Sequence, residues 1–256
     1  MSDQLNRLLL IIARLRDPDG GCEWDLAQTF ETIAPYTIEE AYEVADAIER
    51  GDMIDLKSEL GDLLLQVVFH SRIAEKNGAF DFSDVAQSIS DKMEARHPHI
   101  FGDVHGEMTE RRWEDLKAEE REQAGISGAL AGVAKSLPSL QRAQKLQKRA
   151  ARQGFDWPDA SGPLAKIHEE LAELQSAAPE QIAEEAGDLL FSIVNFLRFY
   201  QVDSESALRQ ANRKFERRFA AMEALAEGNF AELDLAEQER LWQRVKNEER
   251  HSQSEV

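Results

Sequence analysis

A chain of 256 residues, 42% hydrophobic and 31% charged, has the apolar content to bury a core in one large domain or two ordinary ones, and it does not read as disordered. Its net charge of −19 at pH 7 disfavours a nucleic-acid backbone binder, which needs clustered Lys and Arg to replace counterions, and it sets carboxylate against phosphate unless a cation lies between them. The single Cys22 excludes an intramolecular disulfide and a thiolate zinc cluster, which fits a reducing cytoplasm, and the apolar run Leu8 to Ile12 is too short for a signal peptide or a membrane span.

Apolar periodicity of 3.6 residues, punctuated by breakers, predicts helices over residues 3–16, 36–50, 53–77, 82–96 and 109–122, then 138–152, 162–177, 179–200, 204–226 and 234–250. Pro35, Gly51, Gly78, Pro98, Gly154, Pro163 and Pro179 are expected at the breaks. Asp81 or Ser83 is positioned to cap the fourth helix, and Asp203 or Ser204 its counterpart. No stretch alternates as a strand does, so the fold class expected is all-α.

The same series of motifs occurs twice in the same order. GGCEW (Gly20 to Trp24), IEEAYEV (Ile38 to Val44), SELGDLLLQ (Ser58 to Gln66), SDKMEARH (Ser90 to His97) and RRWEDLKAEER (Arg111 to Arg121) are followed by QGFDW (Gln153 to Trp157), HEELAEL (His168 to Leu174), EEAGDLLFS (Glu184 to Ser192), NRKFERRF (Asn212 to Phe219) and RLWQRVKNEER (Arg240 to Arg250). Matched positions lie between 122 (Lys92 to Lys214) and 133 (Trp24 to Trp157) residues apart, so the blocks are collinear with small changes in the loops. Gln123 to Leu140, rich in Gly and small residues and ending near Pro138, reads as a linker. The expected division is 1–124, a linker at 125–136, and 137–256: two tandem homologous helical domains.

Within each half the acidic residues have helical spacing. Glu39 and Glu43 share a face with Glu40 beside them, and Glu59 and Asp62 share a face on the next helix. The tight turn Glu49-Arg50-Gly51-Asp52 makes these helices antiparallel, so the two acidic faces meet. Glu169, Glu170, Glu173, Glu185 and Asp188 repeat the pattern. Four or five carboxylates around one volume are costly without a cation, and hard oxygen donors with neither sulfur nor imidazole suit Mg²⁺ or Mn²⁺. A single EExxE string is usually a solvated helix face; two copies, each followed by ExxD set in apolar sequence, favour metal sites. Asp62 and Asp188 are expected away from open solvent, with Leu63, Leu64, Leu189 and Leu190 on the buried side.

Cations and aromatics follow at fixed intervals. Lys92 and Arg96, matched by Lys214 and Arg218, are spaced to reach phosphates, or alternatively to form ion pairs along their own helices. Trp113 with Lys117, and Trp242 with Lys246, can stack on a base and hold a phosphate; a Trp closing the edge of a core explains the same spacing. Trp24 and Trp157 read as packing residues. His70, His97, His99, His105, His168 and His251 show no repeat, and none is a good catalytic candidate.

EExxE, ExxD, KxxxR and WxxxK in this order, with RLRDPDGGCEWD, TIAPYTIEEAYEV, ARHPHIFGD, RAQKLQKRA and GFDW, resemble the two-domain MazG members of the all-α NTP pyrophosphohydrolases over nearly the whole chain. The resemblance implies helix bundles completed with a dimer partner, a homodimer, and cleavage of (d)NTPs between the α and β phosphates to (d)NMP and pyrophosphate, with broad specificity in nucleotide-pool house-cleaning. It implies that Glu170, Glu173, Glu185 and Asp188 hold Mg²⁺, with Glu40, Glu43, Glu59 and Asp62 doing so in the first half. Glu169, Glu170, Glu173, Lys214 and Arg218 are the implied catalytic residues. Lys214, Arg218, Trp242, Lys246, Lys92, Arg96, Trp113 and Lys117 are the implied nucleotide contacts, and neither nucleic acid nor membrane is an expected partner. The N-terminal half retains its acids, so both halves are candidates, with the C-terminal one preferred for the added arginines of NRKFERRF. Two other classes compete: a di-iron carboxylate protein, for which only Glu94 to His97 supplies an ExxH, and a nucleotide-binding regulator without turnover.

Overall fold

Every helix expected from the sequence has a counterpart in the computed structural model, which describes residues 3–102, 109–123 and 125–254. His105 and residue 124, the expected end of the first domain, lie outside the described residues. Among the described residues there are twelve α-helices, one 3-10 turn and no strand. None of these helices is long and apolar enough to cross a membrane. The chain divides into two compact units, Met1–Glu119 and Glu120–Val256.

The first unit contains α1 (Asp3–Leu15), α2 (Glu23–Ala27), α3 (Phe30–Arg50), α4 (Met53–Lys76), α5 (Phe82–Arg96), α6 (Pro98–Phe101) and most of α7 (Glu110–Gln123). Its centre is the α3–α4 hairpin. Ile33 of α3 and Val68, Phe69 and Ile73 of α4 close over Ile12 of α1, with Leu8, Leu9, Leu15, Leu65 and Phe82 around them. Buried Arg16 ties the following loop to this core: it donates to the Asp25 and Gln28 carbonyls, and its guanidinium lies 4.9 Å from the Phe69 ring centroid.

The hairpin turn has two residues. Gly51 takes the left-handed conformation (φ 70°), which a residue with a Cβ adopts only under strain, and Asp52 caps α4 by accepting from the Ile54 and Asp55 amides. Arg50 closes the turn, bonding Asp46 at 2.7 Å and also Asp55.

In the second unit α8 (Ser139–Arg152), α9 (Ser161–Ser176), α10 (Ile182–Phe199), α11 (Ser204–Leu225), a 3-10 turn (Phe230–Glu232) and α12 (Leu235–Ser254) follow. Here α9 and α10 form the hairpin, and α8 packs on α10 partly through amides. Buried Gln147 donates to the Phe191 carbonyl at 2.8 Å, while Gln144 donates to Val202 O at 3.1 Å and accepts from the Ser204 amide. Gly162 is fixed by the Trp157 ring, whose Cδ1 would lie 2.1 Å from any Cβ there.

Several expectations need correction. α3 starts six residues ahead of the expected 36, with Pro35 inside it, because Thr29 and Thr32 form a reciprocal capping box that satisfies the new N-terminus and outweighs the one amide hydrogen bond proline omits. Pro163 also lies inside a helix, in the first turn of α9, where its missing N–H has no intrahelical partner to lose. Pro98 opens the short α6, and α2 is likewise additional. Asp81 and Asp203, rather than the serines, provide the caps. Trp24 does not pack as expected: it is 56% exposed, since α2 is a single turn with no buried residue.

The Gly51 conformation generates a test. Gly51→Ala places a methyl group in open space, so its whole effect is the backbone strain, about 1 kcal/mol. Calorimetry is expected to show a melting temperature lowered by a few degrees, with the native helix content retained.

Candidate functional site

The two-residue turn and the 3.6-residue repeat together decide where the acids fall. α3 and α4 run back along one another, and the faces carrying Glu40 and Glu43 on one and Glu59 on the other coincide. One carboxylate oxygen from each of these three lies within 4.8 Å of the others. On α9 and α10, Glu170, Glu173 and Glu185 converge within the same limit. Asp62 and Asp188 stand one turn further along; they are outside the triads, but their charges act on Glu40, Glu59 and Glu185. Glu39 and Glu169 are exposed beside them.

Crowding shows in the protonation equilibria. Burial and then the Asp62 and Glu43 charges push the Glu40 carboxyl above the ordinary range. Glu59 is raised by desolvation and by Glu43, and Glu185 by desolvation and then Glu173 and Glu170. Glu170 is only 4% exposed, and its Oε2 is buried with no hydrogen-bond partner.

A buried carboxylate oxygen without a donor is normally destabilising, and it suits a cation ligand. The donor set fits a hard divalent ion: all the candidate ligands are carboxylate oxygens, and they converge within 4.8 Å of one another. A di-iron site is not built, since His97 bonds Met93 O and sits against Trp113, with its ring centroid 5.2 Å from the indole.

Sequence reading missed two partners of the buried acids. Lys166 on α9 contacts Glu170 Oε1 at 2.6 Å and Glu169 Oε1 at 2.9 Å, and these carboxylates raise its pKa. Gln66 on α4 donates to Glu40 Oε1 at 3.3 Å. A scan for basic residues three and four positions before EExxE would have found the first.

The basic–aromatic groups repeat in geometry as well as in spacing. The Arg96 guanidinium lies 5.3 Å from the Trp113 ring centroid, and that of Arg218 lies 5.4 Å from Trp242. Lys117 also sits 5.3 Å from Trp113 and pairs with Glu114. Phe215 flanks Trp242, and Glu249 holds Arg217 and Arg218 at 2.8 Å each. Arg218 is therefore paired across helices rather than along its own. Lys92 is half-buried on α5, Lys214 exposed on α11 and Lys246 half-buried on α12. Among the described residues no ion pair joins Lys214 or Arg218 to the Glu170 triad.

The apolar flanks of the acidic motifs are less covered than expected. Asp188 is exposed and Asp62 half-buried; Leu64 is 39% and Leu190 54% exposed, while Leu63 and Leu189 are half-buried. The physical reason is local: among the described residues the elements packed on α4 and α10 leave Leu64, Asp188 and Leu190 exposed and only partly cover Asp62, Leu63 and Leu189.

Residues 28–101 and 164–221 match the family model of the MazG nucleotide pyrophosphohydrolase domain, and the matched segments contain both acidic triads. The class defined by fold and site is thus an all-α nucleotide pyrophosphohydrolase. The chain is 48% identical over 259 aligned positions to the nucleoside triphosphate pyrophosphohydrolase of Escherichia coli K12, covering 96% of this chain and 98% of that protein. It is 46% identical to the nucleoside triphosphate pyrophosphohydrolase/pyrophosphatase MazG of Thermotoga maritima, covering 93% and 94%. It is also 43% identical to the uncharacterized protein YabN of Bacillus subtilis, covering 94% of this chain and 51% of that protein. The chain belongs to the MazG family.

Carboxyls raised in the folded state bind protons more tightly than in the unfolded chain, so folding gains on the acid side and the ionised cluster opposes it once pH exceeds the folded pKa. Glu59→Gln is expected to raise the melting temperature of metal-free protein at about pH 7 and to change it little at about pH 4. Thermal melts in a chelator at the two pH values decide this; an equal shift at both would place the origin in packing rather than charge.

Proposed function

We propose that this protein hydrolyses ordinary and aberrant (d)NTPs between the α and β phosphates, releasing (d)NMP and pyrophosphate, with Mg²⁺ as cofactor and Mn²⁺ as a substitute. The observation that carries this reading is the buried, half-unpartnered Glu170 within the Glu170–Glu173–Glu185 triad, because it calls for a cation where a triphosphate would otherwise be repelled. Glu170, Glu173, Glu185 and Asp188 would hold the ion, and Glu40, Glu43, Glu59 and Asp62 would hold one in the N-terminal half. When bound, the ion supplies Lewis-acid polarisation of a phosphoryl oxygen and neutralises charge.

The chain's own groups then have distinct tasks. Glu169, exposed beside the triad, takes the proton of the attacking water, while Glu170 and Glu173 fix the geometry at the phosphorus. Lys214 and Arg218 stabilise the charge that accumulates on departing pyrophosphate; Arg218 then exchanges its contact with Glu249 for phosphate. Trp242 offers a stacking face and Lys246 a phosphate contact, with Trp113, Lys117, Lys92 and Arg96 as the N-terminal counterparts. Stacking accepts any base, which supports a permissive specificity suited to nucleotide-pool house-cleaning in the cytoplasm. The uncovered Leu60, Leu64, Leu190 and Phe191 support a homodimer that completes the bundles.

Incubation with each common NTP and dNTP, with Mg²⁺ or EDTA, followed by anion-exchange chromatography, tests the reaction. Metal-dependent NMP and pyrophosphate are expected; NDP and phosphate, or no turnover with any nucleotide, would overturn the reading. Glu173→Ala is expected to lower kcat by about a hundredfold or more and Glu43→Ala by less. The reverse order would move catalysis to the N-terminal half.

A further inference from the structure

The two acidic sites are not chemically equivalent, although their carboxylates match. The position of Lys166 is occupied in the first half by Tyr36, and that of Gln66 is occupied in the second half by Ser192. Glu40 therefore receives a neutral amide at 3.3 Å, whereas its counterpart Glu170 receives an ammonium at 2.6 Å. The ammonium is shared with Glu169 at 2.9 Å, on the same face of α9. Glu170 is buried, and among the described residues this is its one ion pair; it occupies Oε1 while Oε2 is unpartnered. Lys166 itself is 36% exposed, so its Nζ has room to leave.

We propose that Lys166 is a resident counter-ion of the C-terminal acidic site, with which a divalent cation entering at the open Oε2 competes for the charge of Glu170, driving the ammonium off Oε1. This rests on the metal reading above and deepens it. Metal binding in the C-terminal half is then an exchange of cations, whereas in the N-terminal half it is an addition. The buried Glu170 is held in place without metal, and the affinity of the site for metal is lowered by the free energy of the pair that must break. Among the described residues the N-terminal triad has no such cationic partner and should bind the ion more tightly in the free protein, even though it is not the half preferred for catalysis.

The test uses the full chain with one site disabled at a time, so that each titration reports one half. Mn²⁺ binding followed by electron paramagnetic resonance of the free ion is expected to be weaker in Glu43→Ala protein, where only the C-terminal site remains, than in Glu173→Ala protein. Adding Lys166→Met to the Glu43→Ala background should tighten binding roughly tenfold, the scale of one charge-assisted contact. The reciprocal change, Tyr36→Lys in the Glu173→Ala background, should weaken the N-terminal site by a similar factor. Nuclear magnetic resonance of the lysine ammonium groups gives a readout independent of affinity: the Lys166 signal should shift on addition of Mg²⁺. Unchanged or weakened Mn²⁺ binding in Lys166→Met, with the fold intact by circular dichroism, would overturn the counter-ion role and leave the metal site standing. Absence of Mn²⁺ binding to the unmutated chain would overturn both.

Discussion

Carboxylates brought together by antiparallel helices repel one another, and water cannot fully screen those that the hairpin buries. Most local features of each half become intelligible from that constraint. In the first half Gln66 offers Glu40 an amide, and Glu40 and Glu59 hold their protons more tightly than free glutamates do. In the second, Lys166 provides an ammonium, and Glu185 is raised in the same way. Each half reduces the repulsion by a different device, and in neither is the reduction complete. An incompletely neutralised pocket of hard oxygens suits a divalent cation.

Lys166 aside, the cations of the basic–aromatic groups are arginines engaged elsewhere than in that pocket. Arg96 and Arg218 lie over the indoles of Trp113 and Trp242, and Glu249 holds Arg218 as well. If these arginines collapsed onto the triads, they would neutralise the acids and exclude both metal and substrate. Their aromatic and acidic partners hold them instead, so each half keeps charge of both signs. Beside the acidic motifs, Leu64 and Leu190 are left uncovered within their own units.

Much of this was legible in the sequence, for physical reasons that can be stated. Helix ends were readable where a side chain caps them, as at Asp81 and Asp203, and where glycine must turn left-handed, as at Gly51. Pro35 misled because a proline near a helix start is tolerated when the new end is capped, and the Thr29–Thr32 box is not conspicuous in sequence. The triads followed from spacing plus a short turn. The exposure of Asp188 and Leu190 did not, because an apolar neighbourhood along the chain says nothing about which surface covers it in space. Lys166 was missed because attention to acidic strings passes over the basic residue one turn before them.

The hairpins also differ in length, in a way that follows from the geometry of the helix. From Glu40 to the end of α3 is ten residues, and from Glu170 to the end of α9 is six; from the start of α4 to Glu59 is six, and from the start of α10 to Glu185 is three. Each arm of the second hairpin is therefore shorter by three or four residues, close to the 3.6 of one turn. A loss of a single residue would have swung the glutamates about 100° out of phase with their partners. The two hairpins thus differ by about a turn in each arm, and the tip of a hairpin can be lengthened or trimmed in such quanta by design while the carboxylates continue to face one another.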